Sequence, residues 1–259
     1  MEVTLEQKRH RLLIVLSGIF ITNALLAEII GVKIFSAEST VGLNPANLNI
    51  LGFTMDFNLT AGVLIWPVVF ITTDLINEYF GKPGVRKISY LTVVLIAYAF
   101  VIVFFAIRLP GAEFWREVQE PDGSTFNMDL AFNRIMGQGQ RIIIASLTAF
   151  LAGQLVDVFV FHRLRRATGS KYLWLRATGS TVVSQLVDSV VVLFVAFYGV
   201  FETRFIVSIL ITNYLYKFAV AVLLTPVVYL GHSMIDNYLG KAAADKMAES
   251  AANDSKSLF

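Results

Sequence analysis

The stretch that decides the fold is 153–192, "GQLVDVFVFHRLRRATGSKYLWLRATGSTVVSQLVDSVVV". It carries QLVD twice, at Gln154–Asp157 and at Gln185–Asp188, each copy inside a long apolar run. Between the runs lies a polar segment, "HRLRRATGSKYLWLRATGS" at 162–180, that holds five basic residues. Apolar run, basic connection, apolar run is the pattern of two membrane-crossing helices joined on the cytoplasmic side.

The rest of the chain agrees. Of 259 residues, 56% are hydrophobic and 15% charged, and the mean hydropathy is +0.67. A soluble domain carries about 25% charged residues, so the composition points to one integral membrane domain spanning 1–259. Cysteine is absent, which excludes disulfide and thiolate chemistry. The polar start "MEVTLEQKRHR" gives no sign of a cleavable signal peptide. A span needs about 20 mostly apolar residues. Six stretches meet that length: 11–35, 59–80, 88–109, 140–161, 180–201 and 205–230. The fold expected is an all-α membrane protein, a six-transmembrane-helix bundle. Trp66-Pro67 is expected to kink the second helix and Pro226 to break the sixth. The tail from Lys241 is expected to extend that helix and then fray.

Lys and Arg set the orientation. The N-terminus, the 81–87 loop, the 162–180 loop and the tail hold 14 of the 21 basic residues, Lys256 among them. The opposite side holds five, Arg141 among them, diluted by acids such as Glu113 and Asp129. Both termini are therefore expected in the cytoplasm, and clusters such as "HRLRR" are read as anchors to the anionic inner leaflet rather than as a nucleic-acid patch. The two long outer segments, "SAESTVGLNPANLNILGFTMDF" at 36–57 and residues 113–136, are connections with the makings of a lid.

Polar groups inside the spans carry the functional information, because an Asp or Lys costs about 2.5–3.5 kcal/mol at a helix centre and so faces the bundle interior and a partner. They are Asn23, Glu28 and Lys33 in the first helix; Asp74, Asn77 and Glu78 in the second; Gln154 and Asp157 in the fourth; Gln185 and Asp188 in the fifth; Asn213 and Lys217 in the sixth. The third has none and reads as lipid-facing. Asp74, Asn77 and Glu78 lie at i, i+3, i+4 and share a helix face. At 1.5 Å per residue, Asp157 lies about 6 Å from the cytoplasmic end of its helix and Gln154 about 10 Å; Gln185 lies about 8 Å deep and Asp188 about 12 Å. The antiparallel hairpin thus sets Gln154 level with Asp188 and Asp157 level with Gln185, where each carboxylate is placed to accept from the opposite amide. Lys217, near mid-span, needs a counter-charge from Asp74, Asp188 or Glu28. Ala27 and Gly31 have small-xxx-small spacing for close helix contact. His10, His162 and His232 show no metal-ligand spacing, no nucleotide-binding loop occurs, and no nucleophile–base pair stands out. No catalytic residue, metal or cofactor is expected. An intramembrane enzyme using Asp74 with Asp157 or Asp188, and a plain scaffold, are the weaker readings.

The segments "TNALLAEIIGVKIF" (22–35), "WPVVFITTDLINEYFGKPGVRK" (66–87), "SLTAFLAGQLVDVFVFHRLRR" (146–166) and "WLRATGSTVVSQLVDSVVVLFVAFYG" (174–199) together resemble the queuosine precursor transporter family, once called vitamin uptake transporters. The resemblance implies six helices like those of the substrate-binding components of energy-coupling-factor transporters. It implies uptake of 7-deazaguanine bases, the cyano and aminomethyl precursors preQ0 and preQ1, across a bacterial cytoplasmic membrane. Such a base offers N1–H and an exocyclic amine as donors and O6 as an acceptor, an edge suited to carboxylates and amides. The leading contacts are Asp74, Gln154, Gln185 and Asp188, then Asn23 and Glu28. Asn77, Glu78, Asp157 and Lys217 are placed to shape the site, and Trp66, Phe70 or Tyr79 to stack on the base. A homo-oligomer, or a separate ATP-driven module on which the chain docks as a binding subunit, are the partners such a chain would take.

Overall fold

In the computed structural model, which describes residues 4–137, 140–169 and 171–254, the first helix, α1, runs Leu5–Ile30. It begins six residues before the expected start because Thr4 and Gln7 form a reciprocal capping box that holds the polar segment helical. It also ends early, so Lys33 lies beyond it and is exposed. The first outer segment then folds into short pieces: strand β1 (Ile34–Ser36), a single helical turn α2 (Ala37–Thr40), and strands β2 (Leu48–Ile50), β3 (Phe53–Met55) and β4 (Asn58–Thr60). β1 pairs antiparallel with β4, and β2 with β3. Glu38 ties the segment together, accepting from the backbone N–H groups of Phe57 (2.8 Å) and Ala46 (3.4 Å) and from Ser36 Oγ (3.1 Å). Those donors hold its carboxylate below the usual range, the Phe57 N–H most of all.

A 3₁₀ turn, Ala61–Leu64, leads into α3, Trp66–Ala106. Trp66 and Pro67 do not kink a helix; they start one, with proline in the first turn where its missing N–H leaves nothing unpaired. The expected second span is therefore shorter than 59–80. Straight, 41 residues would reach about 62 Å, twice a bilayer core. The helix instead breaks at Gly81, whose φ of 66° and ψ of −172° lie outside helical values. A side chain there would also meet Ala251 O at 2.9 Å. Residues before the break (Ile76, Tyr79) and after it (Val85, Ile88, Ile96) join one core with Leu16, Phe20 and Phe150. The other face of the second half, including Val94, Tyr98 and Phe105, is exposed and apolar, as befits a face turned to lipid.

The second outer segment holds α4 (Glu113–Arg116), strands β5 (Glu117–Gln119) and β6 (Thr125–Asn127) in an antiparallel pair, and α5 (Met128–Met136). Two long helices follow, α6 (Gln140–Thr168) and α7 (Leu173–Phe197). They pack along one another, with Gly153 of α6 bringing the backbone close to Asp188 Cβ. Both run further into the basic connection than expected, which shrinks to a tight turn through Gly169 and Tyr172, both at positive φ. The sixth apolar stretch divides, as Pro226 suggested: α8 is Thr203–Leu223 and α9 is Thr225–Leu239. The tail is not a simple extension. After Gly240 at φ 85° it forms a separate helix, α10 (Lys241–Asp254), packed on α3 and α9. Among the described residues five helices, α1, α3, α6, α7 and α8, are long and apolar enough to cross a membrane. Lys256 and the Arg141 side chain, used in the orientation argument, lie outside the described residues.

Candidate functional site

A cavity of about 280 Å³ lies between α1, the start of α3, α6, α7 and α8. Trp66, Phe70 and Phe150 form its aromatic wall. Trp66 stacks on Phe70 (centroids 5.9 Å, planes at 17°) and leans on Phe150 (5.6 Å). A side chamber between α3, α7, α8 and α9 shares Trp66, Phe70, Gln185 and Lys217 with it and ends on Asp74.

Periodicity explains what faces inward. In each QLVD the Gln and Asp are three apart and turn to the interior, while Leu155 and Leu186 point out and are exposed. Gln154, Asp157, Gln185 and Asp188 all line the cavity, with Glu28 from α1 and Asn213 and Lys217 from α8. The pairing within this group is not the expected one. The amides and carboxylates of the two QLVD copies do not exchange hydrogen bonds. Gln154 Nε2 donates instead to Thr73 Oγ1 (3.4 Å). Asp157 accepts from Ser184 Oγ (3.3 Å) and from Asn77 Nδ2 (3.5 Å). Asp188 is held by Lys217 Nζ at 2.6 Å, which settles that lysine's counter-charge among the three carboxylates considered. Gly153 lies against Asp188 and Ser184 reaches Asp157, but α3 and α8 intrude with their own polar groups and take the partners. Glu28 accepts from Ser146 Oγ.

Three carboxylate or amide oxygens at this site are buried without a hydrogen-bond partner, Asp74 Oδ1, Gln154 Oε1 and Gln185 Oε1, as is the Ser189 hydroxyl, which can donate as well as accept. Asn77 Oδ1, behind Asp157, is a fourth such oxygen. Buried polar atoms are paired in the great majority of cases, so a cluster of orphaned acceptors marks a place built to receive donors.

Some expected site residues lie elsewhere. Asn23 donates to Ile19 O of its own helix at 2.8 Å and does not line the cavity. Tyr79 does not face a ligand; its hydroxyl donates to Asp236 (2.8 Å), beside the His232–Asp236 contact of 3.1 Å. Glu78 sits one helical turn below Asp74 and belongs to a buried ion cluster. Arg176 grips both its oxygens (3.1 and 2.8 Å), and Arg165 adds a third contact at 3.2 Å. The "HRLRR" cluster is thus not wholly a lipid anchor. Arg163 and Arg166 are exposed, whereas Arg165 and, beyond the turn, Arg176 are buried. Arg165 also donates to Glu78 O, a carbonyl just before the break at Gly81 (3.2 Å), and to Ala248 O of α10 (2.6 Å). The unassigned partner of Glu78 was the available signal for this cluster. Ser146, Ser184 and Ser189 were missed because single serines are common in membrane helices; Ser184 stands directly before the second QLVD.

The outer segments differ in their relation to the cavity. β4 supplies Thr60 to the lining. The β2–β3 ribbon is tied to α8, through Arg204 Nη2 to Leu51 O (2.9 Å), Ser208 Oγ to Ile50 O (3.1 Å) and the Phe53–Phe205 ring contact. Residues 113–136 contribute nothing to the lining.

Several apolar membrane-length helices around an aromatic, polar-lined cavity of solute size mark a multi-pass membrane protein with an internal binding space. Comparison with known proteins gives the particular family. Residues 60–231 match the family model described as "Putative vitamin uptake transporter". The chain is 35% identical over 196 residues to a "Probable queuosine precursor transporter" of Bacillus subtilis, covering 74% of this chain and 80% of that one. It is 28% identical over 198 residues to the "Queuosine precursor transporter" of Escherichia coli, covering 74% and 79%. The chain belongs to the queuosine precursor transporter family. No solved structure matches it.

Proposed function

We propose that this protein imports 7-deazaguanine precursors of queuosine, such as preQ0 and preQ1, across the bacterial cytoplasmic membrane. The observation that carries the reading is the set of orphaned acceptors. Asp74 Oδ1, Gln154 Oε1 and Gln185 Oε1 need donors, and a 7-deazaguanine supplies N1–H and an exocyclic amine. Asp188 and Gln185 suit the donor edge, Trp66 and Phe70 the ring face. A ligand lacking those donors leaves buried oxygens unpaired, which is the strongest form of discrimination a pocket has.

The break at Gly81 supports reading 61–80, which takes in the 3₁₀ turn, and 82–106 as two crossings, giving six spans with both termini in the cytoplasm. The first outer segment, fastened to α8 and touching the cavity through Thr60, then serves as the outer lid. The absence of a nucleotide-binding loop fits a secondary carrier and a docked binding subunit alike, and the carrier is the first reading. Co-purification of an ATP-driven module would replace that part of the reading with a docked binding subunit.

The test is uptake by cells expressing variants whose membrane abundance is checked. Asp188→Asn and Gln154→Ala should each cut uptake of the base by about 10-fold or more, the scale of a lost buried hydrogen bond to a charged or orphaned group. Normal uptake by both would make the QLVD residues structural.

A further inference from the structure

The ion pair in the cavity wall is incomplete. Lys217 of α8 and Asp188 of α7 meet through one short contact, Nζ to Oδ2 at 2.6 Å. An ammonium has three N–H donors and a carboxylate two acceptor oxygens. Lys217 spends one donor, and Asp188 Oδ1 takes no hydrogen bond among the described residues. Nor is the pair sealed by protein: the two side chains are 21% and 24% exposed, and both line the main cavity. The Glu78 cluster is the contrast, since there both carboxylate oxygens are held and the side chain is 5% exposed. An ion pair taken out of water repays its desolvation only when its remaining donors and lone pairs are satisfied as well. Among the described lining residues Lys217 is also the single cation. The pair thus presents to the cavity a charged donor and a charged acceptor side by side.

A ring lactam carries the complementary pattern, a carbonyl acceptor beside an N–H donor. In a 7-deazaguanine these are O6 and N1–H, followed along the same edge by the exocyclic amine. The wall continues in the same order. Gln185 stands one helical turn from Asp188 on the same face of α7, and its Oε1 is buried without a donor. Donor, acceptor, acceptor on the protein answers acceptor, donor, donor on the base. Lys217 and Gln185 border both chambers together with Trp66 and Phe70, so a ring laid on that aromatic wall has its edge within their space.

We infer that Lys217 and Asp188 act as one unit that reads the ring lactam of the ligand, Lys217 donating to the carbonyl oxygen and Asp188 accepting from the adjacent N–H. The inference rests on the transport reading above and deepens it. Lys217 then touches the ligand itself and is more than a counter-charge for Asp188. The ring oxygen becomes a determinant of specificity. A base without it leaves the ammonium unanswered and turns a ring-nitrogen lone pair towards the carboxylate, and buried polar groups left unpaired in this way reject a ligand strongly.

Competition tests this in cells expressing the full chain. Uptake of a labelled queuosine precursor is measured against unlabelled 7-deazaguanine and against 2-amino-7-deazapurine, the same base without the ring oxygen. The unaltered protein should prefer 7-deazaguanine by about 100-fold, two charge-assisted hydrogen bonds at about 10-fold each. The double variant Lys217→Met/Asp188→Asn, which removes both charges and strands neither, should reduce that preference to about 10-fold or less by weakening 7-deazaguanine alone. Lys217→Arg, which keeps a charged donor, should hold it within a few-fold of the unaltered value. If the double variant carries too little precursor for competition, stabilisation of the purified protein against heat by each base gives the same ratio. Equal competition by the two bases in the unaltered protein overturns the inference. So does an unchanged preference in the double variant, or a weakening of both bases in equal proportion, because a pair that only braces α7 against α8 serves every ligand alike. If the unaltered protein takes up no precursor, the transport reading itself falls, whereas uptake without a preference between the two bases removes only the lactam contact.

Discussion

Gln154, Asp157, Gln185 and Asp188 occupy matching places in two copies of one tetrapeptide, yet Gln154, Asp157 and Asp188 meet different partners and Gln185 Oε1 meets none. That these residues face inward was legible from the three-residue spacing alone. Their partners were not, because pairing depends on how α3 and α8 are rotated against the hairpin, and no spacing within α6 or α7 encodes that. Glu78 shows the same limit from the other side. Its burial was expected and its two arginines were not, since both lay in a segment that reads as a cytoplasmic loop. The cluster is now the residue-scale feature most exposed to substitution. Removing one member of a buried ion group strands the others and costs about 3–5 kcal/mol. Glu78→Gln, which leaves Arg165 and Arg176 facing each other without a carboxylate, should lower the melting temperature of detergent-solubilised protein by several degrees. An unchanged melting temperature would show that water reaches the cluster and screens it.

Helices were easier to find in the sequence than to delimit. Apolar runs located α1, α6, α7 and α8, but capping at Thr4, proline at the start of α3 and the continuation of α6 and α7 through basic residues all moved their ends. The separate helix α10 was illegible because its alanine-rich sequence signals helix without saying where it docks. Its docking centres on Gly81, and that makes a prediction at this scale. Gly81→Ala places a methyl group 2.9 Å from Ala251 O at a φ of 66°. Strain of about 1–2 kcal/mol at such a φ, added to the clash, should loosen α10 and expose it to protease, and Arg165→Ala should do the same by removing the bond to Ala248 O. Protease resistance equal to that of the unaltered protein in both variants would contradict the docking. The first outer segment offers a pH test. Glu38 has its carboxyl held below the ordinary value near 4.3, so the charged form is favoured in the fold. The stabilisation is fully present above that ordinary value and is lost as pH falls through the lowered one. Hydrogen exchange at the Phe57 amide should therefore be slow and constant, after correction for intrinsic rate, from neutral pH to about 5, and should speed up below about 4. Protection that persists unchanged to more acid pH would show that the carboxylate does not hold the segment.

At the scale of the whole molecule, composition and the placement of Lys and Arg gave the class, an all-α membrane protein, and the shared sequence segments gave the family. The outer ribbons escaped notice because strands of three residues leave no usable period. The proposed six-span arrangement requires Gly81 to turn α3 back through the bilayer. The chain's lack of cysteine makes a direct check simple: single cysteines at Arg86, in the turn at Gly169 and near the tail should react with a membrane-impermeant thiol reagent only after the cytoplasmic side is opened, and one at Glu120 should react in intact cells. The central claim is import of a queuosine precursor, and one measurement addresses it most directly. In a bacterium that can neither make these precursors nor import them, expression of this protein and supply of a 7-deazaguanine precursor should restore queuosine in tRNA. Absence of queuosine with every precursor supplied, while the protein is present in the membrane, would contradict the claim.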